Sequence, residues 1–260
     1  MKKIFKCALL VSLFVIFCSD ISTAQVSKEL QRAHKKWLHR VNKNSKRLDR
    51  LYLKQSLLIT QDETVFGQMP IMQLVAQKRE FYKSLSSSHS IKLFEHSDRK
   101  VLDIGNIFME DENDMIIDTL FYVIAWRRVG DDWFHEVDII FPADKIATGG
   151  GELNRPRSAW IQYANSDQVE LLANGLFLPD GMYLNNSELS KGHPAIARRL
   201  EFMKNPNFHI NLETKELYAV EKKTVIDIGN WITNEFVGYY LIIWKKDEND
   251  SWKIFLYFNF

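Results

Sequence analysis

The chain has 260 residues, 46% of them hydrophobic, and its 34 lysines and arginines nearly balance its 33 aspartates and glutamates, for a formal net charge of +1. This balance gives no electrostatic argument for a nucleic acid, an acidic polymer or a charged membrane as partner. The length and the apolar content suffice for two domain cores. One local excess of basic residues lies between positions 28 and 54, where ten lysines and arginines accompany Glu29 and Asp49. A solvated helix face accounts for this run, and a patch that binds anionic polymers or lipid headgroups is the alternative.

Residues 1–24 are predicted to be a signal peptide. They combine three lysines near the start, an apolar run from Ala8 to Phe17, and small residues before Gln25. The apolar run is too short to span a bilayer, so the mature protein is expected to be periplasmic or secreted, without stable membrane insertion. Lipid anchoring at Cys18 is the alternative, but bacterial lipoprotein signals have a small residue where Phe17 stands. Cleavage after residue 24 removes both cysteines and so excludes disulfides, cysteine nucleophiles and thiolate metal ligands.

In chain order, helices come first and strands follow. Apolar residues at helical spacing predict an amphipathic helix that contains Leu30, Trp37 and Val41. A second helix is predicted around Leu48–Leu58, and a third through "PIMQLVAQKREFY". From Ile91 onward, β-prone runs separated by polar turns predict the strands "IKLFEH", "KVLDIGNIFM", "TLFYVIAWRRV" and "WFHEVDIIF".

The same succession then occurs a second time. The hexapeptide "VLDIGN", which starts at Val101, returns as "VIDIGN" at Val225, 124 residues later. Tryptophans recur in the same order, in the pairs Trp37 and Trp160, Trp126 and Trp244, and Trp133 and Trp252. The glycine run at 149–151 indicates a linker. We therefore predict a duplicated fold, with one domain over 25–146, a linker over 147–156 and a second domain over 157–260.

The second half carries a family resemblance. Its short helix leading into an aspartate-bearing turn, "ANGLFLPDGMYL", is followed by "GHPAIARRLEFM", by a strand that ends in "IIWKK", and by "SWKIFLYF". In this order the segments resemble the nuclear transport factor 2-like superfamily, which includes polyketide cyclase-like and ketosteroid isomerase-like proteins, and in particular its small bacterial branch. The first half matches less well, because it lacks the turn formed by Asp180 and Gly181.

The resemblance implies a fold of the α+β class. Each half would be a cone-shaped domain with three N-terminal helices packed on a strongly curved antiparallel sheet, around a cavity that opens at one end. Members of the superfamily often pair through their sheets. Two copies in one chain therefore imply an internal pseudo-dimer of the two halves.

Asp103 and Asp227 occupy the third position of the repeated hexapeptide, between apolar neighbours. Aspartate is depleted in strands, and a carboxylate in an apolar cavity is a candidate general base. Two alternatives stay open. Each aspartate could hydrogen-bond a bulge or turn near the following Gly105 or Gly229, or could line a cavity without catalysis.

The resemblance adds a second position, because small bacterial members often carry an aspartate five residues after the tryptophan of the last strand. That position is Asp138 in the first half and Tyr257 in the second. Asp227 and Tyr257 would then form a catalytic pair, in which the carboxylate moves a proton and the phenol stabilises an enolate oxygen. A purely core role for Tyr257 is the alternative. The predicted ligand-binding residues are strand carboxylates and aromatics, namely Asp103, Asp138, Trp126, Trp244 and Tyr240.

A metal site is not expected. Strand alternation predicts His135 on one face and Glu136 with Asp138 on the other, so the three could not bind one ion together. No glycine-rich phosphate loop follows a strand, and no cofactor is expected.

These patterns favour an exported two-domain protein that binds a small, largely apolar molecule in a conical cavity. One alternative is an enzyme of the isomerase, cyclase or dehydratase type with Asp227 as general base. Another is a non-catalytic structural or interaction protein. Fold alone does not decide between these functions.

Overall fold

The structure, a computed structural model, describes residues 26–43, 46–148 and 151–260. The predicted signal peptide and Cys18 lie outside the described residues. Helix α1 spans residues 26–42, and a 3-10 turn follows at Lys46–Leu51. The remaining elements of the first half are β1 (Tyr52–Thr60), β2 (Thr64–Phe66), α2 (Gln68–Gln77), α3 (Arg79–Lys83), β3 (Leu85–Ser97), β4 (Lys100–Glu110), β5 (Ile116–Val129) and β6 (Asp132–Pro142).

The second half repeats this order. A 3-10 turn (Ala143–Lys145), the two-residue strand β7 (Ala147–Thr148) and another 3-10 turn (Gly151–Leu153) connect the two halves. The elements that follow are α4 (Asn154–Ala164), α5 (Val169–Leu176), β8 (Phe177–Asn185), β9 (Glu188–Lys191), α6 (His193–Arg199), a 3-10 turn (Glu201–Lys204), β10 (Ile210–Glu221), β11 (Thr224–Thr233), β12 (Val237–Lys246) and β13 (Trp252–Asn259).

The two sheets have the same strand order. The first runs β2-β1-β6-β5-β4-β3, and the second runs β9-β8-β13-β12-β11-β10 with β7 added beyond β10. The α+β class and the two helix-and-sheet units predicted from the sequence are confirmed. Both sheets are mixed rather than purely antiparallel, because β1 pairs with β6, and β8 with β13, in parallel.

Each sheet is covered on both faces. One face packs on the helices of its own half, through α1 residues such as Leu30 and Trp37 in the first half and through α4 and α5 in the second. The opposite faces of the two sheets form a shared cluster, in which Leu57, Ile104 and Val123 meet Ile226 and Leu241. The layers are therefore helices, sheet, sheet and helices.

Polar contacts also join the two halves at the edges of this shared cluster. Glu136 on β6 accepts two hydrogen bonds from Arg127, at 2.9 and 2.6 Å, and one from the Ser187 hydroxyl of the second half, at 2.8 Å. Lys92 on β3 forms an ion pair with Glu216 on β10. The buried Glu136 carboxylate is thereby neutralised at the junction of the halves.

The prediction of a helix over Leu48–Leu58 is wrong beyond Leu51, because Tyr52–Thr60 forms strand β1. Leu57, Leu58 and Ile59 are all buried, since β1 has a helix layer on one side and the second sheet on the other. A strand buried on both faces has no period-2 alternation, and its apolar run is easily taken for a helix.

The turn predicted at Asp180 and Gly181 is instead an irregularity within strand β8, and Ser56 takes the position of Gly181 in the first half. In the second half a Cβ at Gly181 would lie 2.8 Å from the Leu178 carbonyl oxygen and 3.0 Å from that of Ile254. In the first half the Ser56 hydroxyl donates to the matching carbonyls of Leu53, at 2.9 Å, and His135, at 2.6 Å. The same local irregularity is thus built with two different residues.

Among the described residues, no helix is long and apolar enough to cross a bilayer.

Candidate functional site

The repeated hexapeptide places one aspartate in the core of each half. Asp103 pairs across β5 and β6 with Ile124 and Asp138, in one row of the first sheet. Asp227 pairs with Ile242 and Tyr257, in the equivalent row of the second sheet. Residues in one row point to the same face, here the helix-covered face. Asp103 is 1% exposed and Asp227 is fully buried.

The glycine of the hexapeptide makes room for a tyrosine of the neighbouring strand. A Cβ at Gly105 would lie 2.6 Å from the Tyr122 hydroxyl, and a Cβ at Gly229 would lie 2.7 Å from the Tyr240 hydroxyl. Because the glycines have no side chain, each tyrosine ring lies over the strand and its hydroxyl reaches the aspartate. Tyr122 donates to Asp103 Oδ1 at 3.3 Å, and Tyr240 donates to Asp227 Oδ1 at 3.0 Å.

The long edge strand of each helix-and-sheet unit supplies a second hydroxyl. Ser90 Oγ on β3 donates to Asp103 Oδ1 at 2.6 Å, and Thr214 Oγ1 on β10 donates to Asp227 Oδ1 at 3.1 Å. Burial, and next the neighbouring Asp103 carboxylate, raise the pKa of Tyr122 well above its usual range. Burial and Asp227 raise the pKa of Tyr240 in the same way. Both tyrosines therefore remain protonated and keep their role as hydrogen-bond donors.

The first helix of each half supplies the basic partner, and here the halves differ. His34 Nε2 on α1 lies 2.9 Å from Asp103 Oδ2. Arg157 on α4 donates two hydrogen bonds to Asp227 Oδ2, from Nε at 3.1 Å and Nη2 at 2.8 Å, and Trp244 Nε1 donates a third at 3.3 Å. The second-half carboxylate thus accepts five hydrogen bonds from four side chains, whereas Asp103 contacts three.

The first half contains a second buried pair, formed by His135 and Asp138, which we call the lower pair. His135 Nδ1 lies 2.7 Å from Asp138 Oδ1, and the Tyr52 hydroxyl donates to Asp138 Oδ2 at 3.0 Å. Trp37 Nε1 in turn donates to the Tyr52 hydroxyl at 2.9 Å. The Trp126 ring lies between the two histidines, with centroid distances of 5.1 Å to His34 and 4.1 Å to His135.

The predicted placement of His135 and Asp138 on opposite faces is wrong. The β5–β6 register shifts by one residue between Ala125 and Trp126, which leaves Glu136 as the extra residue of a bulge. The bulge brings His135 onto the same face as Asp138 and turns Glu136 towards the second half. In the described part of the chain, no group of three or more histidine, cysteine, aspartate or glutamate side chains is placed to hold a metal ion.

In the second half, the two positions of the lower pair hold uncharged residues. Tyr257 stands at the position of Asp138, and Ile254 at that of His135. The Tyr257 ring meets the Trp160 ring edge to face, with centroids 5.3 Å apart, and its buried hydroxyl has no hydrogen-bond partner among the described residues. Burial, followed by the neighbouring Tyr183, raises the pKa of Tyr257 well above its usual range. Tyr257 and Asp227 share a row but are separated by strand β12.

A pocket of about 570 Å³ opens between α1 and β3 in the first half. One stripe of α1 forms one wall, β3 forms the other, and the pair of Asp103 and His34 is part of its lining together with Tyr122. Three leucines, Leu30, Leu38 and Leu93, supply the apolar part of the surface. The β3 wall is rich in hydroxyls, supplied by Ser86, Ser87, Ser88 and Ser90.

Register explains why this space is open in the first half. Ser88 pairs with Ile107, and its equivalent Leu212 pairs with Trp231. Leu212 is 5% exposed and belongs to the core of the second half. The first half has a small hydroxyl in its place, and β3 also carries Ser86 as an extra residue between Leu85 and Ser87. In the second half, the longer side chain of Arg157 also takes the position equivalent to His34.

The structure therefore brings several predicted site residues together and separates others. Asp227, Tyr240 and Trp244 share one hydrogen-bonded cluster, and Asp103 lines the pocket. Asp138 belongs to the lower pair, and Trp126 contacts His34 rather than a carboxylate. His34 and Arg157 were not predicted from the sequence, although each stands three residues before the repeated tryptophan of its helix, Trp37 or Trp160.

Neither a protein-family model nor a curated protein matches this sequence. Solved structures are similar to it in fold. One is an NTF2-like protein with a cystatin-like fold from Novosphingobium aromaticivorans, at 10% identity and a TM-score of 0.40, covering 52% of this chain and 91% of that one. Another is an NTF2-like superfamily protein from Salmonella enterica, at 15% identity and a TM-score of 0.34, covering 42% and 87%. A putative scytalone dehydratase from Novosphingobium aromaticivorans matches at 10% identity and a TM-score of 0.37, covering 48% and 88%.

Two of these structures are NTF2-like by name, which is the superfamily that segments of the second half resemble in sequence. Each of these matches covers about half of the chain, the size of one helix-and-sheet unit. At such identities the similarity concerns the fold alone, and the function must be argued from the site.

Proposed function

We propose that the first half binds a small organic molecule in the pocket between α1 and β3, and that the second half is a closed scaffold. One observation carries this proposal: the chain builds the same aspartate cluster twice, but the residues beside the aspartate differ between the two copies. Asp103 lies at a pocket of about 570 Å³, whereas Leu212 and Arg157 occupy the matching positions beside Asp227.

The pocket has the size and lining of a ligand site. Small-molecule sites enclose roughly 300–1,000 Å³ and combine apolar walls with a few polar groups that orient the ligand. Here leucines supply the apolar surface, and serines, Asn42 and His34 supply the polar groups. This mixed wall suits a molecule that carries hydrogen-bonding groups better than the largely apolar ligand expected from the sequence.

The two halves act in this proposal as an internal pseudo-dimer, with domains over 25–146 and 157–260 joined by residues 147–156. The shared cluster between the sheets and the contacts of Glu136 and Lys92 with the second half support this arrangement. Export to the periplasm or the medium, with removal of residues 1–24, remains part of the proposal on the strength of the leader sequence.

A second candidate function is proton transfer at the same pocket. His34 lines the pocket, and Asp103 contacts its Nε2, which is the arrangement that orients a histidine as a general base. Asp227, the base predicted from the sequence, is held instead by Arg157 and three further donors. We therefore assign Asp227 a structural role and place any isomerase, cyclase or dehydratase chemistry in the first half.

The test is to close the pocket with the residue that the second half uses. The purified protein and its Ser88→Leu variant are titrated with a panel of aromatic and acyl carbonyl compounds, and binding is followed by calorimetry and by the thermal unfolding midpoint. A ligand at a hundredfold excess over its Kd stabilises the folded protein by about 2.7 kcal/mol. We expect Ser88→Leu to weaken binding by about tenfold or more while the unliganded protein stays as stable as the wild type.

The matched control is Ser158→Leu, the same substitution on the exposed surface of α4. It is expected to bind every ligand like the wild type. Equal binding by Ser88→Leu and the wild type would contradict the proposed site, and so would a panel with no ligand at all. Turnover of a ligand by the wild type, lost in His34→Gln while binding persists, would support the second candidate.

A further inference from the structure

The pocket lining has an excess of unpaired basic side chains. Lys35 and His39 lie one turn apart on the same stripe of α1. In the described part of the chain, neither side chain has an ion-pair or hydrogen-bond partner. Each can therefore direct its N–H groups to a ligand without breaking a contact within the protein.

No free negative charge balances them. Asp103 is the one acidic residue of the described lining, and His34 contacts its Oδ2 while Ser90 and Tyr122 occupy its Oδ1. The described part of α1 and its C-terminal turn carry six lysines and arginines and one acidic residue, Glu29, which contacts Arg128 at 3.5 Å. The charges along α1 therefore favour an anion at the pocket.

The second half lacks these basic side chains. Counting along the two copies, Ser158 and Gln162 take the positions of Lys35 and His39 on the helix. Basic side chains and open space thus occur together in the first half, and both are missing from the equivalent positions of the second.

We infer that the ligand of this pocket is an organic anion, a small molecule with a carboxylate or phosphate group attached to an apolar body. This inference rests on the proposed binding function and specifies its ligand class. The acid group binds at Lys35 and His39, where charge-assisted hydrogen bonds are available. The apolar body packs on Leu30, Leu38 and Leu93, and any hydroxyl or carbonyl group meets Ser88 and its neighbours.

The experiment compares matched probes that differ in the acid group alone. Calorimetric titrations of the full protein use 4-phenylbutanoate against 4-phenyl-1-butanol, and phenyl phosphate against phenol. We expect at least one acid to bind about tenfold or more tightly than its matched alcohol, and its affinity to fall as salt is raised from about 0.05 to 0.5 M. The carboxylate and phosphate arms show which acid the pocket prefers, and a preference for either supports the inference.

Two neighbouring lysines separate pocket recognition from general attraction to α1. Lys35→Gln is expected to weaken binding of the preferred acid by about fivefold or more and to leave the alcohol within about twofold. Lys36→Gln is the control, because Lys36 does not line the pocket and pairs with Asp132 at 3.4 Å. It should leave both affinities unchanged.

The outcomes distinguish this inference from the proposal on which it rests. Acids and alcohols that bind equally well would overturn the anion inference and leave the binding site intact, provided that Ser88→Leu weakens both. Equal losses in Lys35→Gln and Lys36→Gln would overturn recognition in the pocket in favour of attraction to α1. Probes that fail to bind in every arm would overturn the inference, and failure of the carbonyl panel as well would overturn the proposed function.

Discussion

The ion pair between Arg157 and Asp227 is expected to be a large contributor to the stability of the second half. Asp227 is fully buried, and the Arg157 side chain is 11% exposed. Replacing Arg157 with methionine keeps much of the apolar stem but leaves the carboxylate without a positive partner. Thr214, Tyr240 and Trp244 remain as neutral donors.

The magnitude follows from the cost of an uncompensated buried charge. Removing one member of a buried ion pair costs roughly 3–5 kcal/mol. The three remaining donors solvate part of the charge, which places the expected loss of unfolding free energy for Arg157→Met at about 3 kcal/mol. For a chain of this size such a loss corresponds to a decrease of roughly 6–12 °C in the thermal midpoint.

Urea unfolding followed by circular dichroism measures the effect. Arg155→Met is the control, because Arg155 is an exposed arginine on the same helix, and its replacement should cost less than about 0.5 kcal/mol. Adding Asp227→Asn to Arg157→Met removes the stranded charge and should restore more than about 1 kcal/mol. A loss below about 1 kcal/mol for Arg157→Met, or no recovery in the double variant, would refute this account of the buried charge.

Three further predictions concern the second half. Gly229→Ala should cost more than about 2 kcal/mol of unfolding free energy in urea, because its Cβ would clash with the Glu213 carbonyl oxygen and with the Tyr240 hydroxyl; a loss under about 1 kcal/mol would contradict the close approach of these two groups. Tyr257→Phe should change stability at pH 7 by less than about 0.5 kcal/mol, because the hydroxyl has no partner among the described residues; a loss of about 2 kcal/mol would reveal a hydrogen bond that the structure lacks. The third prediction concerns alkaline pH. Folding raises the pKa of Tyr257, so the contribution of its phenol to the free energy of unfolding is complete below the unfolded pKa of about 10 and is lost as pH rises above it. Above pH 10, the free energy of unfolding should therefore fall with pH less steeply in Tyr257→Phe than in the wild type, by about 1.4 kcal/mol per pH unit. Equal slopes in the two proteins would contradict the burial of Tyr257.

Much of the fold could be predicted because the sequence contains it twice. The two copies of the hexapeptide and two of the tryptophan pairs occupy equivalent rows of two sheets with the same strand order, and the third pair, Trp37 and Trp160, lies on the equivalent helices α1 and α4. Local patterns also located β4, β5 and β6, and the part of β3 from Ile91 onward, whereas the serine-rich first part of β3 was not predicted as a strand. They failed at β1, where a strand buried on both faces lost its alternation, as Leu57, Leu58 and Ile59 show.

The candidate site was less accessible to sequence reasoning, because it depends on pairings between distant segments. Asp103 and Asp227 stood out as acids on apolar strands. Their partners His34 and Arg157 lie 69 and 70 residues away, on the first helix of each half. The bulge at Glu136, which brings His135 and Asp138 together, shows only in the strand register.

The pocket itself follows from a difference between the copies. Ser88 in place of Leu212, together with the extra residue Ser86, opens space that the duplicated pattern alone would have filled. Duplication thus predicts what the halves share, and the departures from it indicate where function is to be sought.

The most direct test of the central claim is a crystal structure of the protein with the tightest-binding acid from the matched titrations. The account predicts one ligand per chain between α1 and β3, in contact with Ser88, with its acid group at Lys35 or His39, and a second half that stays closed around Asp227. A ligand bound in the second half, or an empty first-half pocket at saturating ligand, would contradict it.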